Sequence, residues 1–292
     1  MMANNLLCIY HGNCADGFGA AWVVRKKFGD KVDFHAGVHQ NQPPDVTGKH
    51  VIFVDFSYKR AVLLEMATKA KSITILDHHK SAADDLTGFP EPETITSWIN
   101  DEPPTTHITT LFDMNRSGAM MAWNYFFPED EAPLLISHIQ DRDLWLFRMN
   151  GTREIQANVF SYPYDFKIWD DLMEMDVRFL RNEGAAIERK HHKDIAELLG
   201  VTKRRMIIGG HSVPVANLPY TLASDAGHIL GVNEPFAATY YDTPEGRVFS
   251  LRSAEDGLDV SDIAKIYDGG GHPHAAGFRV EIGWEGETPM HA

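Results

Sequence analysis

Three short apolar runs in the first 80 residues each lead straight into side chains that ligate metals. LLCIY (6–10) runs into His11, VIFV (51–54) into Asp55, and ITIL (73–76) into Asp77-His78-His79. The runs are too short for helices, and helix-like stretches separate them. That alternation is the pattern of parallel strands joined by crossover helices. In an open α/β sheet, ligands bind in the crevice beyond the carboxyl ends of the strands, so parallel neighbours would carry all three ends to one rim. Asp16 stands just past the first strand, at the start of its helix. Asp141 and Asp143, in ISHIQDRDLW, close a later helix from which a carboxylate could enter the same crevice.

The remaining pattern extends this frame. A second strand is expected at 32–38, helices at 59–70, 117–127 and 132–140, and further helical material from 154 to 201. Ser117 is the expected N-cap of its helix. The Pro- and acid-rich stretch 82–104 reads as irregular. Beyond about 205 the texture changes to strand patterns (206–217 and 236–252), a short helix at 261–267, the segment GGGHPH (269–274) and a last strand near 278–282. The fold expected is α/β: an N-terminal parallel-sheet domain with flanking helices over 1–185, a connecting helix over 186–205, and a smaller C-terminal mixed-sheet α/β domain over 206–292.

Hydrophobic residues make up 43% and charged residues 23% of the 292, enough for a substantial core. The 41 acidic and 27 basic side chains leave a net charge of −14. That balance argues against coating long DNA or RNA, which needs a broad Lys/Arg surface. It leaves room for a small anionic substrate in a local cationic or metal-lined pocket. Cys8 and Cys14 are the only cysteines and cannot staple a large fold, so a reducing compartment is expected. The N-terminus lacks the basic and apolar regions of a secretion signal, and no segment reaches the ~20 apolar residues of a membrane span. A soluble cytoplasmic protein without membrane partners is the expectation.

Imidazole and carboxylate donors together suit a divalent transition metal. The candidates outnumber the needs of one tetrahedral ion. Two ions ~3.5–4 Å apart, bridged by a shared carboxylate, form the arrangement that hydrolyses phosphate esters, and Asp55 on a central strand is the natural bridge. In GGGHPH, Gly269, Gly270 and Gly271 could form a backbone nest for a phosphate. His272 could donate a hydrogen bond to it or protonate a leaving oxygen, and Arg252 offers a bidentate fork. A metal site in one domain and an anion site in the other would define a cleft between them. Blander readings stand beside several features: His191-His192 as a solvated helix face, Lys203-Arg204-Arg205 as dipole-favoured charges after a helix, MMAWNYFF as core, and Trp145, Phe147 and Tyr162 as packing rather than base-stacking residues.

Taken in order, these residues resemble the DHH-type phosphoesterases, named for the Asp-His-His triplet that stands here at 77–79. HGNCADGFGAA looks like the family's first motif, VIFVDFSY its second, ILDHH its third and the Asp141 region its fourth. GGGH (269–272) is similar to the hallmark of the DHH-associated C-terminal domain. The resemblance implies metal ligation by His11, Asp16, Asp55, His78 and Asp141, with Asp55 as bridge. It implies that Asp77 orients a neighbouring histidine, that His79 and His272 act on substrate phosphate or leaving group, and that Arg252, Gly270, Gly271, His272 and His274 bind substrate. Manganese, two ions, is the implied cofactor, with magnesium or cobalt as substitutes. The implied activity is hydrolysis of phosphodiester or phosphomonoester bonds in short oligonucleotides or small nucleotides by metal-activated water. Cyclic (di)nucleotide or pyrophosphate/polyphosphate hydrolysis are alternatives, and a non-catalytic nucleotide-binding module is the alternative of another class. A homodimer is compatible with all of these. The first motif departs from many relatives in carrying Cys14 where they have an earlier aspartate, which makes Cys14 or Asn13 a candidate for that ligand position.

Overall fold

The computed structural model describes residues 4–39, 41–92 and 107–288, and the chain divides into two compact units, 1–188 and 189–292. The division falls inside one 26-residue helix. The expected irregular stretch 82–104 is described only to residue 92, and its remainder lies outside the described residues. Among the described residues, no helix is long and apolar enough to cross a membrane.

The first unit is built on a five-stranded sheet of β1 (Leu6–His11), β2 (Val32–Gly37), β3 (His50–Val54), β4 (Ser72–Asp77) and β5 (Ile108–Phe112). Its order is β2-β1-β3-β4-β5 and every pairing is parallel. Helices α1 (Ala15–Phe28), α2 (Arg60–Ala67), α3 (Lys80–Asp85), α4 (Gly118–Phe126), α5 (Leu134–Asp143), α6 (Thr152–Val159) and α7 (Phe166–Glu174) follow the strands, and α8 (Val177–Thr202) passes through the division. Both faces of the sheet are covered, which explains why its strands read as unbroken apolar runs. Along β3, Ile52 and Val54 join a core with Phe18, Trp22, Trp123 and Trp169. Val51 and Phe53 point the other way, toward Phe56, Leu63, Ile73 and Ile75. These four β3 residues are fully buried, each worth about 1.5–3 kcal/mol relative to exposure.

Register decides what this core positions. Tyr10 pairs with Val54, and Val54 with Leu76. The residues that follow, His11, Asp55 and Asp77, therefore leave the sheet at the same level on its carboxyl rim. Two elements depart from expectation. The polar strand β5, ITTLF, has no assignment in the sequence reading, because threonine at an edge weakens the apolar signal. The start of the supposed irregular stretch forms α3.

The second unit has six strands: β6 (Arg204–Ile208), β7 (His211–Asn217), β8 (Ala237–Thr243), β9 (Gly246–Arg252), β10 (Gly270–His272) and β11 (Ala275–Val280), with helices α9 (Ala223–Leu230) and α10 (Val260–Lys265). The order is β10-β11-β9-β8-β7-β6, antiparallel except for the parallel β7–β8 pair. Gly209 and Gly210, at φ 56° and 78°, make the two-residue hairpin between β6 and β7. Phe249 and Tyr267 stack on Phe278, with ring centroids 4.9 and 4.3 Å away, at the centre of its core. The basic run at 203–205 enters β6 instead of capping α8. Arg204 pairs with Glu285 and donates to the Tyr240 hydroxyl, and Arg205 pairs with Glu234.

Candidate metal centre

The rim of the first sheet is built from tight backbone devices. After His11 the chain turns through Gly12, whose amide donates to Gly37 O at 2.8 Å, and Asn13, at φ 58°. Cys14 occupies the N-cap of α1 in extended conformation and makes no capping hydrogen bond. Gly17 lets the first turn of α1 lie against His11, since a Cβ there would overlap the His11 carbonyl oxygen. Asp16 is 2% exposed, and both its oxygens accept hydrogen bonds from the first turn of α4: Gly118 N at 2.6 Å and Ala119 N at 3.0 Å. The carboxylate thus sits on the positive end of that helix.

Asp55 is the most constrained group. Its backbone is left-handed (φ 56°) and its amide donates to Leu76 O at 2.9 Å. A Cβ on Gly118 would overlap the Asp55 Cβ, so only glycine lets α4 approach this closely. His78 Nε2 lies 3.0 Å from Asp55 Oδ1, and His11 Nδ1 lies 3.5 Å from Oδ2. Both Asp55 oxygens are buried, and neither has a hydrogen-bond partner among the described residues. Burial opposes ionisation of Asp55, but the His11 and His78 imidazoles outweigh it and hold the carboxyl well below the usual range. Burial, reinforced by the negative Asp55 and Asp143, pushes Asp16 well above it.

The triplet divides its work. Asp77 Oδ1 accepts from His78 N at 2.8 Å and lies 2.7 Å from His79 Nδ1. With the Nδ1 proton shared with that carboxylate, Nε2 is the nitrogen of His79 that can act as a ligand. His79, His11 and Asp55 each offer a ligand atom, all within 4.8 Å of one another. His78, Asp16 and Asp143 do the same. The His78 Nε2 atom faces three carboxylates at 3.0 Å (Asp55), 3.5 Å (Asp143) and 3.7 Å (Asp16). Asp55 therefore touches both groups. Carboxylates crowded around imidazole nitrogens, with buried unsatisfied oxygens at their centre, are costly unless a cation lies among them. The mixed donor set fits a divalent transition metal.

No family model matches the chain. An uncharacterized protein of Acanthamoeba polyphaga mimivirus is 28% identical over 294 residues, covering 92% of this chain and 66% of the relative. The chain thus spans just under two thirds of that protein's length. Among solved structures, the DHH domain of a member of the s1p family of ribosomal proteins superposes with a TM-score of 0.59 at 11% identity, over 96% of this chain and 83% of that one. The chain has the DHH fold. RecJ of Thermus thermophilus, solved in complex with Mn2+, matches at a TM-score of 0.50 and 14% identity, over 95% of this chain and 50% of RecJ.

Within this DHH fold, Asp141 and Asp143 stand differently from the sequence reading. Asp141 was expected among the metal ligands. Both its oxygens are engaged instead, Oδ1 by Arg148 N at 2.8 Å and Oδ2 by Met149 N at 3.1 Å and the Thr152 hydroxyl at 2.6 Å. Asp143, left out of the expected set, is the carboxylate grouped with Asp16 and His78. The glycine run expected to be a nest is largely strand β10: Gly270 pairs with Gly277, Gly271 with Ala276 and His272 with Ala275. Gly271, at φ 143°, has no room for a Cβ beside the β11 backbone. Arg252, at the end of β9, donates from Nη2 to Ser224 Oγ and from Nη1 to Leu251 O, each at 2.8 Å. His274 Nδ1 lies 3.0 Å from Ser253 Oγ. A fourth imidazole near the rim, His39, had no place in the sequence reading. Its ring centroid is 5.6 Å from that of His11 and 6.4 Å from that of His79. The signal that could have found it is its position two residues beyond β2, at another strand's carboxyl end.

Proposed function

We propose that this chain is a metal-dependent phosphoesterase of the DHH type that hydrolyses phosphoester bonds in short oligonucleotides or small nucleotides. The observation that carries the reading is Asp55, whose two buried and unsatisfied oxygens each face a different imidazole of a six-residue ligand field. His11, Asp55 and His79 would hold one manganese ion, and Asp16, His78 and Asp143 the other, with Asp55 common to both. Such a pair supplies Lewis acidity toward phosphoryl oxygens and lowers the pKa of water. Asp77 holds His79 in one orientation through its Nδ1, and the first turn of α4 keeps Asp16 from rotating. In the second unit, Arg252 with Gly270, Gly271, His272 and His274 would bind a substrate phosphate, and His272 would donate a proton or hydrogen bond to it. The net charge of −14 favours small substrates over long strands. A cytoplasmic location accords with the small number of cysteines.

The test is a manganese-supplemented hydrolysis panel: a 5′-phosphorylated dinucleotide, a 3′,5′-bisphosphate nucleotide, cyclic dinucleotides and pyrophosphate, with His78→Ala as control. Turnover of the dinucleotide or bisphosphate, abolished in His78→Ala, is expected. Folded protein that binds manganese but turns over none of the panel would instead indicate a nucleotide-binding module.

A further inference from the structure

We propose that Trp145 and Phe147, braced by Arg142 and Arg153, form a stacking site for a nucleobase of the substrate. This rests on the phosphoesterase reading and narrows it, since inorganic pyrophosphate or polyphosphate has no use for such rings.

The first ground is backbone strain. The described residues other than glycine with positive φ are Asn13, Asp55, Asn233, Asp268, Trp145 (58°) and Phe147 (48°). Asn and Asp tolerate this region, whereas bulky aromatic residues rarely adopt it, at a cost of about 1–3 kcal/mol each. Two strained aromatics in one turn are held there by a dedicated support. The Asp141 carbonyl accepts from Leu146 N at 2.9 Å and Phe147 N at 3.2 Å, while its carboxylate takes Arg148 N and Met149 N. The residue expected to ligate metal thus shapes this turn from inside.

The second ground is exposure. Trp22, Trp123 and Trp169 are at most 5% exposed, as core tryptophans should be. Trp145 and Phe147 are only half-buried. Their rings meet edge-on, with centroids 4.9 Å apart at 79°. The Arg142 guanidinium lies 4.5 Å from the Trp145 centroid, and that of Arg153 lies 3.6 Å from the Phe147 centroid. Strain combined with partial exposure is the opposite of what a packing role would select.

The third ground is chemistry and place. Ring faces and guanidinium planes stack nucleobases, and guanidinium edges bind phosphate oxygens. An apolar partner would use the rings without the cations, and an inorganic anion the cations without the rings. A nucleotide uses both. Trp145 and Phe147 follow Asp143 by two and four residues, so at no more than ~3.5 Å per residue they lie within about 14 Å of it along the chain.

The test compares KM for a 5′-phosphorylated dinucleotide with KM for its abasic counterpart. One stacked base is worth about 1–3 kcal/mol, so Trp145→Ala should raise the ratio of the two KM values about fivefold to 150-fold. Trp145→Phe, which keeps a ring, should restore most of it. An unchanged ratio would overturn the proposal, as would an equal loss on both substrates, which a merely structural role produces. If neither substrate is turned over, the phosphoesterase reading fails separately, and the stacking site is read by binding. Adenosine monophosphate, added with a chelator present, should quench tryptophan fluorescence in the native protein but not in Trp145→Leu. Absence of quenching in the native protein would sink the stacking site itself.

Discussion

At the scale of single residues, the centre depends on Asp55, whose buried carboxylate oxygens have no hydrogen-bond partner among the described residues. Asp55→Asn keeps size and shape while removing the charge shared by two ligand groups. Loss of several kcal/mol of charge stabilisation corresponds to about a thousandfold fall in turnover. Manganese stoichiometry by equilibrium dialysis should fall with it, and a variant that retains near-native turnover would contradict the bridging role. Asp141 and Asp143 make a paired prediction. Asp143→Asn should reduce metal binding, whereas Asp141→Asn should leave metal content intact and destabilise the 144–149 turn. Burial opposes ionisation of Asp141, but the Thr152 hydroxyl and two amides outweigh it and hold its carboxyl below the usual range. A depressed folded pKa means that its stabilisation is present above the unfolded value, near 3.9, and is lost as pH falls through the folded value. Urea midpoints should therefore separate native protein from Asp141→Asn above about pH 4 and converge below it. A constant gap down to the lowest pH would refute the assignment. The choice between the two aspartates was not legible in the sequence for a plain geometric reason. At 3.6 residues per turn, positions two apart differ by about 200° around a helix, so they face opposite sides. Only packing shows which side meets the sheet.

At the scale of elements, the rim works because α1 and α4 approach the strand ends without side chains in between. Gly118→Ala tests this. In an open helix the change would stabilise by up to about 1 kcal/mol. Here the new Cβ overlaps that of Asp55, and overpacking of this kind costs about 1–3 kcal/mol. Net destabilisation together with weaker manganese binding is expected, measured by urea denaturation and calorimetric titration. A stabilised variant with native metal affinity would show that α4 does not position Asp55. The strands β1, β3 and β4 were readable from sequence because both sheet faces are buried and the apolar runs are continuous. Strand β5 was not, since its threonines sit at the sheet edge. The GGGH run illustrates the same limit: glycines permit a nest or a close strand pairing equally, and β11 as partner selects the pairing for Gly270 and Gly271.

At the scale of the whole molecule, the proposed ligand groups belong to the unit spanning 1–188, so a bound cation should stabilise that unit. At a hundredfold excess over Kd, binding contributes about 2.7 kcal/mol, or about 5–10 °C for a unit of this size. Manganese should raise the unfolding midpoint reported by the buried tryptophans Trp22, Trp123 and Trp169 by that amount, and chelation should reverse it. No shift at saturating metal would argue against a site in this unit. The amino-acid order alone determined the parallel α/β frame and the convergence of His11, Asp55 and the 77–79 triplet, because unbroken apolar runs must become central strands and their ends must share a rim. Three-dimensional packing alone decided which carboxylate completes each group, which histidine Asp77 holds, and that Trp145 and Phe147 stand strained at the surface. Those outcomes depend on rotation about helix axes and on backbone angles, and residue order leaves both open until the helices dock.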